Sequence, residues 1–177
     1  RSLAEHALKK SEELFSNIAQ NSPLAIAIID PDGTYVYINR NFTQIFGFDL
    51  KDFQTGREWF LLAYPDPDYR KKVISEWKSD LEHSGAGDQR PRTYKVRCKN
   101  GTEKDIYFMP VTLSDGKQCI VYEDITQRRE AEQVRTLLSF IVESTDDGVI
   151  GKTPEGLIIS WNHAAERMFG YPKNEII

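Results

Sequence analysis

Two cysteines, three histidines and a scatter of carboxylates are the side chains in this 177-residue sequence from which metal, redox or nucleophilic chemistry would have to be built. Cys98 and Cys119 form no Cys-x-x-Cys pair, and two thiols are too few for a disulfide framework, which fits a reducing compartment such as the cytoplasm. His6, His83 and His163 are far apart and share no metal-ligand spacing. His163 and Glu166 stand at i and i+3 of an expected helix, where a solvated pair is a simpler reading than a metal site. There is no glycine-rich phosphate loop and no Ser or Cys in a triad context, so the chain reads as non-enzymatic.

The composition agrees with a chain that folds rather than reacts. Hydrophobic residues make up 40% and charged residues 28%, enough for one full domain and part of another. The net charge of -4 comes from interleaved acids and bases with no basic block, so nucleic acid is not an expected partner. No run approaches the roughly 18 apolar residues of a membrane span. The opening "RSLAEHALKK" lacks the apolar region of a secretory signal, and no membrane contact is expected of these residues. A start at Arg1 and a stop just after "GYPKNEII" suggest a piece of a longer protein, and that parent could itself be membrane-anchored.

The positioning elements come into view through an internal repeat. "DPDGTYVYIN" from Asp30 returns as "TPEGLIISWN" from Thr153, with Gly33 and Gly156 separated by 123 positions. The same offset relates Leu14 to Leu137, Pro31 to Pro154, Asn39 to Asn162 and Gly47 to Gly170 without a gap. Two copies of one domain type are therefore expected, the second cut off after its first third.

Helical spacing of Leu3, Ala7, Leu14, Phe15, Ile18 and Ala19 predicts an amphipathic helix over residues 1–21. "LAIAIID" and "TYVYIN" read as a hairpin around a Pro-Asp-Gly turn. "NRNFTQIFG" reads as a short helix that Asn39 or Asn41 can cap and Gly47 ends. "GREWFLLAYPDPDYR" reads as irregular, and the fourfold spacing of Tyr69, Val73, Trp77 and Leu81 predicts a helix from Asp68 to about Glu82. Asn-Gly and Asp-Gly then separate three strands, "TYKVRCK", "TEKDIYFMPVTL" and "QCIVYEDI". A further helix over 127–144 carries Ala131, Val134, Leu138 and Ile141 as a short heptad seam.

This order of elements, ending in Asp124, Ile125 and Thr126 before "QRREAE", resembles the PAS sensory domain, whose Asp-Ile-Thr ending is its specific part. "YPDPDYR" resembles a subgroup found in bacterial signalling proteins, typically histidine kinases and diguanylate cyclases. The resemblance implies an α+β fold with a five-stranded antiparallel sheet in the order 2-1-5-4-3 and helices on one face. It divides the chain into a leading helix (1–21), a first PAS domain (22–126), a connecting helix (127–144) and a partial second PAS domain (145–177). Under that order Cys98 and Cys119 flank the fourth strand, about 9–10 Å apart, too far for a disulfide.

PAS domains enclose a cavity between sheet and helices, and its expected lining is Phe46, Trp59, Phe60, Val73, Trp77, Tyr94 and Tyr107. The alternative is that these rings simply fill the core. Arg57 is the candidate for pairing with a ligand carboxylate, since Arg97 alternates toward solvent. The cysteine context of the photoactive flavin sensors is absent, so no photoactive flavin is expected. The histidine of haem-binding members has only His83, at a helix end, to match it, which disfavours haem. The cofactor stays unassigned. Asp124 and Thr126 are expected to cap the connecting helix and so relay movement of the sheet. The two amphipathic helices imply a parallel homodimer. The expected role is a sensory module acting on an effector domain in the same chain, a histidine kinase ahead of a diguanylate cyclase, and the alternative is a ligand-free dimerisation or interaction scaffold.

Overall fold

A computed structural model describes residues 2–177, with side chains from residue 6 onward, so the expected apolar position Leu3 lies outside the described side chains. Two compact units divide at Thr126, the first comprising the residues up to Thr126 and the second Gln127–Ile177.

The first unit begins with helix α1 (Ser2–Gln20), continues through β1 (Ala25–Ile29) and β2 (Tyr35–Ile38), and then through helices α2 (Arg40–Phe46), α3 (Gly56–Ala63) and α4 (Pro67–Glu82). It closes with β3 (Arg92–Arg97), β4 (Glu103–Thr112) and β5 (Gln118–Asp124). The five strands form one sheet in the order β2-β1-β5-β4-β3, every neighbouring pair antiparallel. This is the order the family resemblance implied.

Strand alternation decides which side chains meet the helices. Ala25, Ala27 and Ile29 on β1, Val96 on β3, Ile106 and Phe108 on β4, and Ile120 and Tyr122 on β5 are buried on one face. Phe42 and Phe46 from α2, Trp59 and Ala63 from α3 and Val73 from α4 pack onto it. Cys98 falls just beyond β3, and both cysteines are free thiols.

Local chemistry explains the helix ends. The Asn39 side chain caps α2, and Gly47 closes it at φ 77°, a left-handed conformation that costs a residue with a Cβ. The stretch expected to be irregular contains α3, which opens on a capping box: Thr55 accepts from the Glu58 amide, and the Glu58 carboxylate accepts from the Thr55 amide. That Thr-x-x-Glu pattern was the overlooked signal. Asp66 caps α4, and Pro67 occupies its first turn, where no amide partner is needed.

The second unit contains helix α5 (Thr126–Ser144, its first residue shared with the first unit), the hairpin of β6 (Ile150–Lys152) and β7 (Ile158–Trp161), and helices α6 (His163–Phe169) and α7 (Lys173–Ile176). The sequence repeat is also a geometric repeat. The β1–β2 register shifts between Ile28 and Ile29, and the β6–β7 register shifts at the matching step between Gly151 and Lys152. Gly33 and Gly156 have φ of 89° and 91° in equivalent turns.

Candidate functional site

Between the sheet face and α3–α4 lies a cavity of about 560 Å³. Six of the expected residues line it: Arg57, Trp59 and Phe60 from α3, Val73 and Trp77 from α4, and Tyr94 from β3. Two expected residues do not. Phe46 is fully buried behind the wall, its ring centre 5.2 Å from Trp59 and 5.5 Å from Tyr122, because the α2 face that carries it also seals the core. Tyr107 stands one residue from Ile106 and Phe108 on β4, so strand alternation sends it to the opposite sheet face.

The strands supply lining that the sequence reading missed. Gln118, Ile120 and Tyr122 alternate along β5, and Phe108 and Tyr35 join them from β4 and β2. Tyr64, at the end of α3, completes a set of four phenols. The signal was present as period-two spacing in "QCIVYED", a strand whose second face had no assigned role.

The phenols are not equivalent. Tyr94 donates to Glu76 Oε2 at 2.8 Å. Tyr122 is wholly buried; among the described residues no hydrogen bond of ordinary geometry reaches its hydroxyl, and the neighbouring Tyr35 hydroxyl is the group that interacts with it. Burial pushes the Tyr35, Tyr64, Tyr94 and Tyr122 hydroxyls well above the ordinary phenol range, so each remains a neutral O–H group at physiological pH.

Charge is confined to the rim and to one buried cation beside the wall. Asp30, Asp32 and Arg57 border the cavity with at least partial exposure. Lys117 pairs with Asp30 at 3.4 Å. Arg90 is buried with its guanidinium 5.9 Å from the Trp77 ring centre, and it donates to Ser84, Thr112 and Gln118. His83 ends α4 outside the cavity and bonds the Ser79 carbonyl. Among the described residues no group of three His, Cys, Asp or Glu is placed to hold a metal.

Asp124 and Thr126, the expected relay residues, meet at the end of β5. Asp124 Oδ1 accepts from the Thr126 amide at 3.1 Å and from the Thr126 hydroxyl at 2.6 Å, while Lys104 Nζ lies 2.8 Å from its other oxygen. Thr126 Oγ1 accepts in turn from the Asp105 amide at 3.0 Å, and the Ile125 amide donates to the Asp105 carbonyl at 3.0 Å. The turn thereby binds β4, β5 and the first residue of α5 together. Partial burial pushes the Asp124 carboxyl up, but the bonds from Lys104 and Thr126 outweigh it and hold the group below the usual carboxylate range.

A second buried hub went unassigned beyond its capping role. Asn39 Oδ1 accepts from the amides of Ile26 at 2.9 Å and Phe42 at 3.0 Å, and Asn39 Nδ2 donates to the carbonyls of Ala19 at 2.8 Å and Leu24 at 2.9 Å. One side chain ties α1, β1 and α2. Asn162 makes the equivalent four bonds, to Val149, Ala165, Val142 and Asp147, and so ties α5, the start of the hairpin and α6.

Comparisons with known proteins bear on this geometry. A family model described as PAS domain matches residues 13–81, and one described as PAS fold matches residues 136–177. The chain is 22% identical to sporulation kinase E of Bacillus subtilis, over all of this chain and 24% of that protein. It is 26% identical to the cell-division control histidine kinase PdhS of Brucella suis, over 88% of this chain and 15% of that protein. The chain thus spans no more than about a quarter of these relatives' length. The PAS domain of an HTR-like protein from Haloarcula marismortui superposes with a TM-score of 0.54 at 19% identity, covering 71% of this chain and all of that one. The five-stranded unit accordingly has the PAS-like fold, and PAS-family sequence is matched in both halves of the chain.

Proposed function

We propose that the chain is a sensory module in which a small molecule occupies the cavity of the first unit and α5 carries the response to an effector domain in the same parent protein. The observation that carries this reading is the aromatic cavity backed by β5, the strand that runs directly into the Asp124–Thr126 turn and α5. A ligand that shifts Tyr122 or Gln118 on β5 pushes on the same strand whose end is bonded to the start of the helix. The similarity to two bacterial kinases over most of this chain supports a histidine kinase as the effector, ahead of a diguanylate cyclase. The second unit is read as the opening part of another PAS domain, on the strength of the repeated Asn and Gly geometry. A cytoplasmic position for the module accords with its two free thiols.

A second reading rests on different residues. Leu14, Phe15 and Ile18 on α1, and Val134, Leu137, Leu138 and Ile141 on α5, are more than half exposed. Helices of this kind favour a homodimer, and a dimerisation scaffold needs no ligand. Native mass spectrometry with an absorption spectrum of gently purified protein separates the two readings. A stoichiometric small molecule in the cavity is the expected result; a persistently empty protein that forms dimers would support the scaffold instead.

A further inference from the structure

We propose that Arg90 and Gln118 make one end of the cavity a receptor for the carboxylate of an amphipathic small molecule, whose apolar body fills the aromatic interior. This rests on the sensory reading above and names the chemistry of its ligand.

Arg90 is a buried cation short of negative charge. It and Gln118 are each only 8% exposed. Its guanidinium donates to Ser84 Oγ at 2.7 Å, to Thr112 Oγ1 at 3.0 Å and to Gln118 Oε1, none of them a carboxylate. Nearby Asp80 is held by two bonds from Arg92, at 2.9 and 2.8 Å, and Asp88 accepts from the Gly85 amide. Burial outweighs the attraction of both acids and pulls the guanidinium below its ordinary range. A buried charge without a bonded counter-ion is costly, so an anion brought near it gains more than it would beside a paired one.

Gln118 carries that charge to the cavity wall. Arg90 has donors only, which fixes the Gln118 oxygen toward it and assigns Nε2 to the other side of the amide. Nε2 has two hydrogens and makes one bond, to Thr112 at 3.0 Å, which leaves one donor for a ligand. Gln118 lines the cavity, and a bond from a cation to its oxygen strengthens its N–H as a donor. It pairs with Ile29 at the start of β5, where Pro31 and Asp32, both exposed, and Gly116 border the cavity from the two adjoining turns. A head group at that end keeps part of its hydration, while Trp77, Tyr94 and Phe108 enclose the apolar body.

The other polar groups of the lining select no anion. The Tyr35 and Tyr64 phenols are neutral and can donate or accept, so they suit an oxygen of any charge. Asp32 is exposed and Asp30 pairs with Lys117 at 3.4 Å, so water and that lysine weaken the repulsion from the rim.

The test uses three probes with one apolar body on the 177-residue chain, with Kd measured by NMR titration: naphthylacetate (anionic), naphthylacetamide (uncharged) and naphthylethylamine (cationic). Naphthylacetate is expected to bind about tenfold more tightly than naphthylacetamide, with naphthylethylamine weaker still. Gln118→Glu places a carboxylate against Arg90 within the chain, and is expected to bring naphthylacetate to no better than naphthylacetamide while leaving the fold intact. Equal affinities, a preference for the amide or the amine, or an acetate preference that survives Gln118→Glu but is lost in Arg57→Gln would each overturn this inference and leave the ligand-binding reading standing. Failure of all three probes to bind would overturn both. The order of the probes on the unmodified chain and on Arg57→Gln decides the question even if Gln118→Glu does not fold.

Discussion

Asn39 shows how much one buried polar side chain can organise. Its amide satisfies two amides and two carbonyls drawn from α1, the β1 segment and α2, using each of its hydrogen-bonding directions. Replacement by Ala would leave those four backbone groups without their partner and remove the α2 cap. We expect Asn39→Ala to destabilise the first unit by about 3 kcal/mol, read as a lower urea midpoint with unchanged slope. A loss below about 0.5 kcal/mol would show that water replaces the bonds. The capping role was legible from sequence as a choice between Asn39 and Asn41, both ahead of an apolar helical face. Which one is buried depended on the strand beneath: Asn41 instead bonds the Pro23 carbonyl at the surface. The setting of Tyr122 was illegible for a related reason, since the surroundings of a buried hydroxyl are defined only by the fold.

Among the elements, β4, β5 and the start of α5 are joined at Asp124–Thr126. Because the folded Asp124 carboxyl titrates below its unfolded value, its contribution to stability is complete above pH 4 or so, the ordinary aspartate range, and is lost as the pH falls through that value to the lower folded one. Asp124→Asn keeps the shape and removes the charge opposite Lys104. It should lower the melting temperature at pH 7, with the difference from the unmodified chain shrinking below pH 4 or so. A difference that stays constant from pH 7 to pH 3 would mean that the charge is not what holds the turn. At this scale α4 and the five strands were readable from periodicity and turn residues, because apolar spacing and Asn-Gly or Asp-Gly turns are local signals. α3 was not legible as a helix because two prolines, Pro65 and Pro67, follow it closely, although the Thr55–Glu58 capping box marks its start.

In the molecule as a whole, the two units are unequally built. The hydrophobic core cluster belongs entirely to the first, while the second buries chiefly Trp161, Ala164 and Ala165 around a two-stranded sheet. A two-stranded hairpin has little stability of its own. Amides of Ile150–Trp161 are therefore expected to exchange with solvent at denaturant concentrations that leave β4 and β5 protected, measured by native-state hydrogen exchange. A single common transition for all amides would contradict independent units. Sequence alone determined the repeat, the strand count and the helical faces, since these follow from local spacing that every copy of the chain must obey. Its family resemblance supplied the strand order. Only the tertiary structure decided which rings surround empty space and which fill the core. Phe46 and Trp59 are both apolar aromatics with their ring centres 5.2 Å apart, yet the cavity lies on one side of that pair, and no spacing along a chain records a void.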